Sequence, residues 1–164
     1  MRYFSYGSNM SLPRLQDRVP EAKKVGVAEL ESYQLRFHKV SKKDGSGKCD
    51  AFNTGDIQDR VIGVLYDLPE EKKPILDKFE GLGFGYKEQE VKVLMSDGAT
   101  VTAFTYIATN IDQSLKPFDW YKEHVVHGAK TNGLPDTYVG MLNAVECKED
   151  PDSERRDREL AIYR

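Results

Sequence analysis

Two short stretches of the chain carry residue types that could do chemistry, and the first is the turn Gly7-Ser8-Asn9. It follows Tyr3-Phe4-Ser5-Tyr6, whose aromatic residues favour a strand. Gly tolerates positive φ, and Ser and Asn hydrogen-bond to nearby backbone, so the three residues predict a tight turn. Ser11 and Pro13 then suit the start of a helix. Such a turn directs several backbone N–H groups at one spot, where they could bind an anion or a developing oxyanion. An ordinary connection between a strand and a helix fits the same residues.

The second stretch is Glu80-Gly81, which closes a predicted helix. A carboxylate at the C-terminal end of a helix faces the negative end of the helix dipole. Because Phe79 and Leu82 flank it, partial burial would further disfavour its charged form. A carboxyl group in such a position suits proton transfer near neutral pH. The alternative is a plain surface glutamate beside Lys78.

Other kinds of site lack their signatures. His38, His124 and His127 are the only histidines, and they form neither a His-x-x-x-His nor a Glu-x-x-His pattern, so we predict no metal and no cofactor. No Gly-x-Ser-x-Gly elbow and no Gly-x-x-x-x-Gly-Lys phosphate loop occurs. Cys49 and Cys147 have no setting that indicates a nucleophile or a disulfide framework.

The elements that would position these two stretches alternate irregularly between strands and helices. Residues 25–40 are extended with a break near 29–32, and residues 41–48 form a polar loop that could be a mobile flap. Pro74 should kink or delay the helix that ends at Glu80, and Asp97-Gly98 predicts a hairpin turn. The predicted helices are 12–18, 69–80, 118–127 and 135–144, and the predicted strands include 51–54, 61–66, 86–95 and 100–108.

These patterns predict an α+β protein whose sheet curls into a small mixed β-barrel flanked by helices. The chain has 164 residues and a formal net charge of −3, which fits one domain and gives no sign of nucleic-acid binding. We expect a single domain over residues 1–147 and a charged C-terminal tail over 148–164, read as a solvated helix or a frayed end. No apolar run is long enough to span a bilayer and no signal peptide is recognisable, so we expect a cytoplasmic protein.

The two stretches, with others, resemble the γ-glutamylcyclotransferase family. That family opens with a Tyr-Gly-Ser-Asn turn, as in Tyr6-Gly7-Ser8-Asn9 here, and its catalytic acid is a Glu followed by Gly at a helix end, as in Glu80-Gly81. Tyrosines of the two following strands are matched by Tyr86 and Tyr106. Tyr121-Lys122 precedes Gly128-Ala129-Lys130 at the family's spacing, and 128–135 is very similar to the animal enzymes. Pro74 and the glycine-rich segment 81–85 depart from the pattern.

The resemblance implies a transferase of the lyase or acyltransferase type. It would cyclise a γ-glutamyl amide to 5-oxoproline, as in glutathione metabolism, with Glu80 as the catalytic residue. It implies that Tyr6, Gly7, Ser8, Asn9, Tyr86 and Tyr121 bind the substrate, with the tyrosines donating hydrogen bonds. The expected partner is a small γ-glutamyl molecule, and the protein would be a monomer or a homodimer. Alternatives are a γ-glutamylamine cyclotransferase, an enzyme that removes a γ-glutamyl protecting group in a biosynthetic pathway, and a non-catalytic module that binds small molecules or proteins.

Overall fold

Alternating apolar residues along the strands build a sheet that closes on itself. A computed structural model describes residues 1–164. Its strands are β1 (Arg2–Ser5), β2 (Lys23–Glu31), β3 (Tyr33–Val40), β4 (Gly47–Asn53), β5 (Arg60–Asp67), β6 (Tyr86–Met95) and β7 (Thr100–Ala108). Its helices are α1 (Leu12–Arg18), α2 (Lys73–Glu80), α3 (Asp119–Thr131), α4 (Asp136–Asn143) and α5 (Ser153–Leu160).

Five strands form a closed barrel in the order β1-β5-β2-β6-β7, while β3 and β4 form a separate two-stranded sheet. The neighbours β1–β5, β5–β2, β2–β6 and β6–β7 are antiparallel, and β1 closes the barrel by pairing parallel to β7 at Tyr3 and Phe104. The barrel is therefore mixed. Phe4, Val64 and Leu65 are fully buried in the hydrophobic core of the protein. The predicted fold class, a small mixed barrel with flanking helices, is confirmed.

Several element bounds follow the sequence patterns closely. Helix α1 and the hairpin of β6 and β7 have the predicted limits, and Ser32, at φ 70°, turns the chain between β2 and β3. Pro74 delays the second helix, because a 3₁₀ turn over Glu70–Lys72 precedes the α-helical part, which begins at Lys73. Strand β4 begins four residues earlier than expected, at Gly47, because the loop before it is shorter than its polar composition suggests.

Helix α3 packs tightly against the start of the chain. A Cβ atom on Gly128 would lie 2.6 Å from the backbone of Met10 and Ser11, so only glycine permits this approach. The side-chain amide of Asn132 adds a hydrogen bond to the Met10 carbonyl oxygen at 2.8 Å. The helix thereby fixes the segment that follows β1.

The C-terminal segment contains α5, and its side chains contact the domain. Arg156 pairs with Asp119 of α3 at 2.9 Å, and Glu159 pairs with Arg14 of α1. Tyr163 donates a hydrogen bond to the Ser11 hydroxyl at 2.8 Å. None of the helices is long and apolar enough to cross a membrane.

Candidate active site

A small cavity lies where the segment after β1 meets α2, β4, β6, β7 and α3. It brings together all seven residues that the sequence assigned to the site. Its lining residues are Tyr3, Ser5, Tyr6, Gly7, Ser8, Asn9, Cys49, Glu80, Tyr86, Thr105, Tyr106 and Tyr121.

The turn after β1 differs in conformation from the one expected. Ser8–Met10 forms a single 3₁₀ turn that follows Gly7, whose φ is −114°. Gly7 is therefore not in the left-handed region, and the expectation of positive φ was wrong. Glycine is needed at position 7 because there is little room for a side chain. A Cβ atom at this position would lie 3.0 Å from Cys49 Cβ and 3.5 Å from Tyr121 Oη.

The same turn lines the cavity and leaves three backbone donors without an acceptor. The Gly7 and Ser8 carbonyl oxygens accept hydrogen bonds from Met10 and Ser11, which close the 3₁₀ turn. The backbone N–H groups of Gly7, Ser8 and Asn9 have no acceptor within the protein. Successive N–H groups without acceptors at the start of a helical turn suit an anionic oxygen.

Helix α2 places Glu80 at the cavity. Glu80 is the last residue of α2, and Gly81 ends the helix in the left-handed conformation, at φ 69° and ψ 44°. The Tyr106 hydroxyl on β7 donates to Asp77 Oδ1 at 2.6 Å, which ties α2 to the barrel. The helix end at Gly81 and the hydrogen bond between Tyr106 and Asp77 together fix the last turn of α2, which carries Glu80.

The Glu80 carboxylate is held through one of its two oxygens. Oε1 accepts from Asn9 Nδ2 at 2.6 Å and from Arg18 Nη1 at 3.2 Å. Arg18 also donates to Asn9 Oδ1 at 2.9 Å, so the three side chains form a closed triangle. Oε2 accepts no hydrogen bond from the protein and is left for a ligand. The sequence suggested an unfavourably placed carboxylate, whereas the structure gives it a cation and an amide as partners.

The tyrosine hydroxyls are used differently from the expectation that all three donate to a substrate. Tyr6 donates to the Tyr106 carbonyl oxygen, and Tyr86 donates to the Cys49 carbonyl oxygen at 2.6 Å. Tyr121 instead accepts from the Cys49 N–H at 3.0 Å, which leaves its own proton available. Burial raises the pKa of all three hydroxyls well above the ordinary value, so each stays protonated. Tyr6 and Tyr86 are therefore wall residues, and Tyr121 is the free donor.

Cys49 and the histidines do not add a nucleophile or a ligand set. Burial raises the pKa of the Cys49 thiol to about 12, so the thiol is neutral and a weak nucleophile. His38 pairs with Asp50 at 2.7 Å, and His124 with Tyr163 at 2.7 Å. No group of three or more His, Cys, Asp and Glu side chains is arranged to hold a metal ion.

Sequence reasoning missed Arg18 and Tyr3 as parts of this region. Arg18 is the last residue of α1, where a basic residue is common, and it belongs to no motif. Its ion pair with Glu80 depends on how α1 and α2 pack together. Tyr3 lies on β1, where its hydroxyl accepts from Asn9 Nδ2 at 3.2 Å. In the sequence, only the two-residue spacing of Tyr3 and Ser5, which places them on one face of β1, could have indicated that Tyr3 lies at the cavity.

A closed barrel with Glu80 in its adjoining cavity is an arrangement that can be compared with known proteins. The AIG2-like family model matches residues 60–142. The chain is 35% identical to the gamma-glutamylcyclotransferase of Mus musculus over 152 residues, which cover 90% of this chain and 79% of that protein. It is 36% identical to the Homo sapiens protein of the same name over 149 residues, covering 88% and 78%.

Solved structures agree with the sequence comparison. A structure described as a gamma-glutamyl cyclotransferase superposes with a TM-score of 0.88 at 32% identity, covering 99% of this chain and 98% of the other. The chain belongs to the γ-glutamylcyclotransferase family.

Proposed function

We propose that this protein is a γ-glutamylcyclotransferase, which converts a γ-glutamyl amide into 5-oxoproline and releases an amino acid or an amine. The observation that carries the proposal is the Glu80 carboxylate, which is held by Oε1 and has Oε2 free. It lines the same cavity as the acceptor-free N–H groups of Gly7, Ser8 and Asn9. A base beside an oxyanion site is the arrangement that an acyl transfer needs.

The nucleophile of this reaction is the α-amine of the substrate itself. It attacks the γ-carbonyl carbon, the new C–N bond closes a five-membered ring, and the bond to the leaving nitrogen breaks. An intramolecular nucleophile fits a cavity in which the Cys49 thiol is neutral. The enclosing tyrosine walls hold the glutamyl group folded, and such positioning accounts for a large part of the barrier reduction.

Glu80 moves the proton. The substrate's α-ammonium group, with an ordinary pKa of about 8, must lose a proton before it can attack. Oε2 accepts that proton and passes it to the leaving nitrogen. After the attack it takes a second proton from the new ring nitrogen, and this proton converts the released amine to its ammonium form, so the residue ends each cycle as it began. Arg18 and Asn9 keep Oε1 fixed during the transfer and are positioning residues. General acid–base catalysis of this kind contributes about 10²- to 10⁴-fold.

The opening turn binds an anionic oxygen. The three N–H groups serve either the oxyanion formed at the γ-carbonyl or the substrate's α-carboxylate. An oxyanion contact acts mainly on kcat, whereas a carboxylate contact that is equal in ground and transition states acts on KM. The Tyr121 hydroxyl, which lies beside Gly7, adds a donor from α3.

The proposal extends to the setting of the enzyme. The reaction is an intramolecular acyl transfer that eliminates an amine, which gives it lyase and acyltransferase character. We place the enzyme in glutathione metabolism in the cytoplasm, as a monomer or homodimer. Residues 1–147 would carry the activity, and 148–164 would brace α1 and α3 through Glu159 and Arg156.

A substrate panel tests the proposal. The purified protein is incubated with γ-glutamyl dipeptides and γ-glutamylamines, and 5-oxoproline is measured by mass spectrometry. We expect 5-oxoproline in equimolar amount with the released amino acid or amine. Release of free glutamate instead would mean hydrolysis and would contradict a cyclotransferase.

A further inference from the structure

A wide vestibule outside the cavity is lined mainly by cations. It shares Ser8, Glu80, Tyr86 and Tyr121 with the cavity, so it lies on the path that a substrate's leaving group would occupy. Eight basic and four acidic side chains line it, although the protein as a whole has a formal net charge of −3. The positive charge is therefore concentrated at this opening.

Ion pairs neutralise only part of that charge. Arg14 pairs with Glu159, Arg18 with Glu80, and Lys48 with Asp44 at 3.0 Å. The remaining cations have no carboxylate within 4.0 Å. They are Lys39, Lys42, Lys43, Lys78 and Arg158.

Lys39 is the unpaired cation set most firmly into the wall. Its ammonium group lies 4.6 Å from the centre of the Tyr86 ring, and the side chain is half-buried. A Cβ atom on Gly85 would lie 2.8 Å from Lys39 Cε, so the glycine makes room for the lysine stem. Burial lowers the pKa of the Lys39 ammonium, and the charge of Glu80 acts in the opposite direction. Lys39 is therefore a cation held against Tyr86, which lines the cavity.

Lys42 and Lys43 extend the charge outward along the loop after β3. Asp44 accepts from the Ser46 backbone at 2.9 Å and from Lys48 at 3.0 Å, which fixes the loop shape. The two lysines are exposed and free of carboxylate partners. They line the same vestibule as Lys39 and add to its positive charge.

We propose that Lys39 is a specificity-determining residue that binds a carboxylate of the leaving group, and that this vestibule selects acidic amino acids or γ-linked glutamates as leaving groups. The inference rests on the proposed function and names its substrate class. These cations do not attract a neutral or cationic amine, whereas each carboxylate on the leaving group adds an electrostatic attraction to them. Electrostatic attraction into a positively lined cleft also raises the association rate, and salt weakens it.

Isosteric substrate pairs test the proposal. γ-Glutamylalanine and γ-glutamylalaninamide differ by one carboxylate, and γ-glutamylglutamate and γ-glutamylglutamine differ by a second. We expect kcat/KM to favour the more acidic member of each pair by about tenfold, as for one charge-assisted contact. The preference within the glutamate pair should shrink when salt is raised from about 0.05 M to about 0.5 M.

Variants then locate the effect. Lys39→Met should remove most of the preference in the alanine pair while leaving turnover of γ-glutamylalaninamide near the wild-type value, and Lys39→Arg should keep the preference. The matched control is Lys92→Met on the exposed face of β6, outside the vestibule. Circular-dichroism melts confirm that each variant is folded.

The results with the four substrates distinguish a failure of the Lys39 inference from a failure of the proposed function. Equal rates for both members of each pair in the wild type, or an unchanged preference in folded Lys39→Met, overturn the inference alone. A wild-type protein that forms no 5-oxoproline from any of the four substrates overturns the proposed function and the inference with it.

Discussion

Replacing Gly7 tests whether the opening turn acts through its closeness to the cavity wall. In Gly7→Ala the new Cβ would lie 3.0 Å from Cys49 Cβ. Carbon atoms prefer about 3.5–4.0 Å, so the turn or β4 must move by about 0.5 Å. Overpacking of this kind costs about 1–3 kcal/mol. For a chain of this size that lowers the Tm by about 3–10 °C.

The same shift should harm catalysis more than folding. The three N–H groups belong to the displaced turn, and a misplacement of about 1 Å can cost about 10²-fold in rate. We therefore expect kcat/KM to fall about tenfold in Gly7→Ala and about a hundredfold in Gly7→Val, whose side chain has two methyl groups more than that of alanine. A loss in kcat indicates an oxyanion site, and a rise in KM indicates a site for the α-carboxylate.

Gly140→Ala is the matched control for this experiment. A Cβ atom at this exposed position in α4 would meet nothing within 4 Å. Alanine is the better helix former, so we expect unchanged kinetics and about 0.5–1 kcal/mol of added stability. Steady-state kinetics and calorimetric melts of the three variants give the answer. Wild-type kinetics in Gly7→Val would show that the turn is a plain connection and that the site lies elsewhere.

Three further predictions concern single groups. Ser8→Ala should change kcat/KM less than threefold or so, because the backbone N–H remains; a hundredfold loss would give the hydroxyl a role of its own. EDTA should leave activity unchanged, because His38 and His124 are engaged with Asp50 and Tyr163; loss reversed by a divalent ion would contradict this. Burial lowers the pKa of His124 from 6.5 to about 4, so the unfolded chain binds a proton that the folded protein excludes. The Tm should therefore fall as pH drops from 6.5 to 4, and His124→Gln should flatten that dependence; equal slopes for both proteins would refute it.

Local signals were enough to predict much of the fold. Asp97-Gly98 predicted the hairpin turn, and the predicted strands 86–95 and 100–108 have the bounds of β6 and β7. Gly81 gave the helix end that holds Glu80. Apolar residues on both faces of β5 indicated a strand buried on both sides, and hence a curled sheet.

What the sequence did not reveal depends on contacts between distant segments. Arg18 and Glu80 are 62 residues apart, and no local pattern announces their ion pair. The hydroxyls of Tyr6 and Tyr86 are taken up by carbonyl oxygens on other strands, which one-dimensional spacing cannot show. The role of Gly7 follows from Cys49 on β4 and not from its own backbone angles. A charged tail likewise gave no sign that Tyr163 would reach Ser11.

The central claim is that Glu80 transfers the proton in a cyclisation, and Glu80→Gln tests it most directly. The amide oxygen can still accept from Asn9, so the fold and the cavity should persist, while the base is lost. With γ-glutamylglutamate as substrate, we expect calorimetric binding close to that of the wild type and 5-oxoproline formation slower by about 10²- to 10⁴-fold. Glu71→Gln, exposed in the 3₁₀ turn before α2, is the control and should be fully active. A folded Glu80→Gln that forms 5-oxoproline at a near-normal kcat would contradict the account.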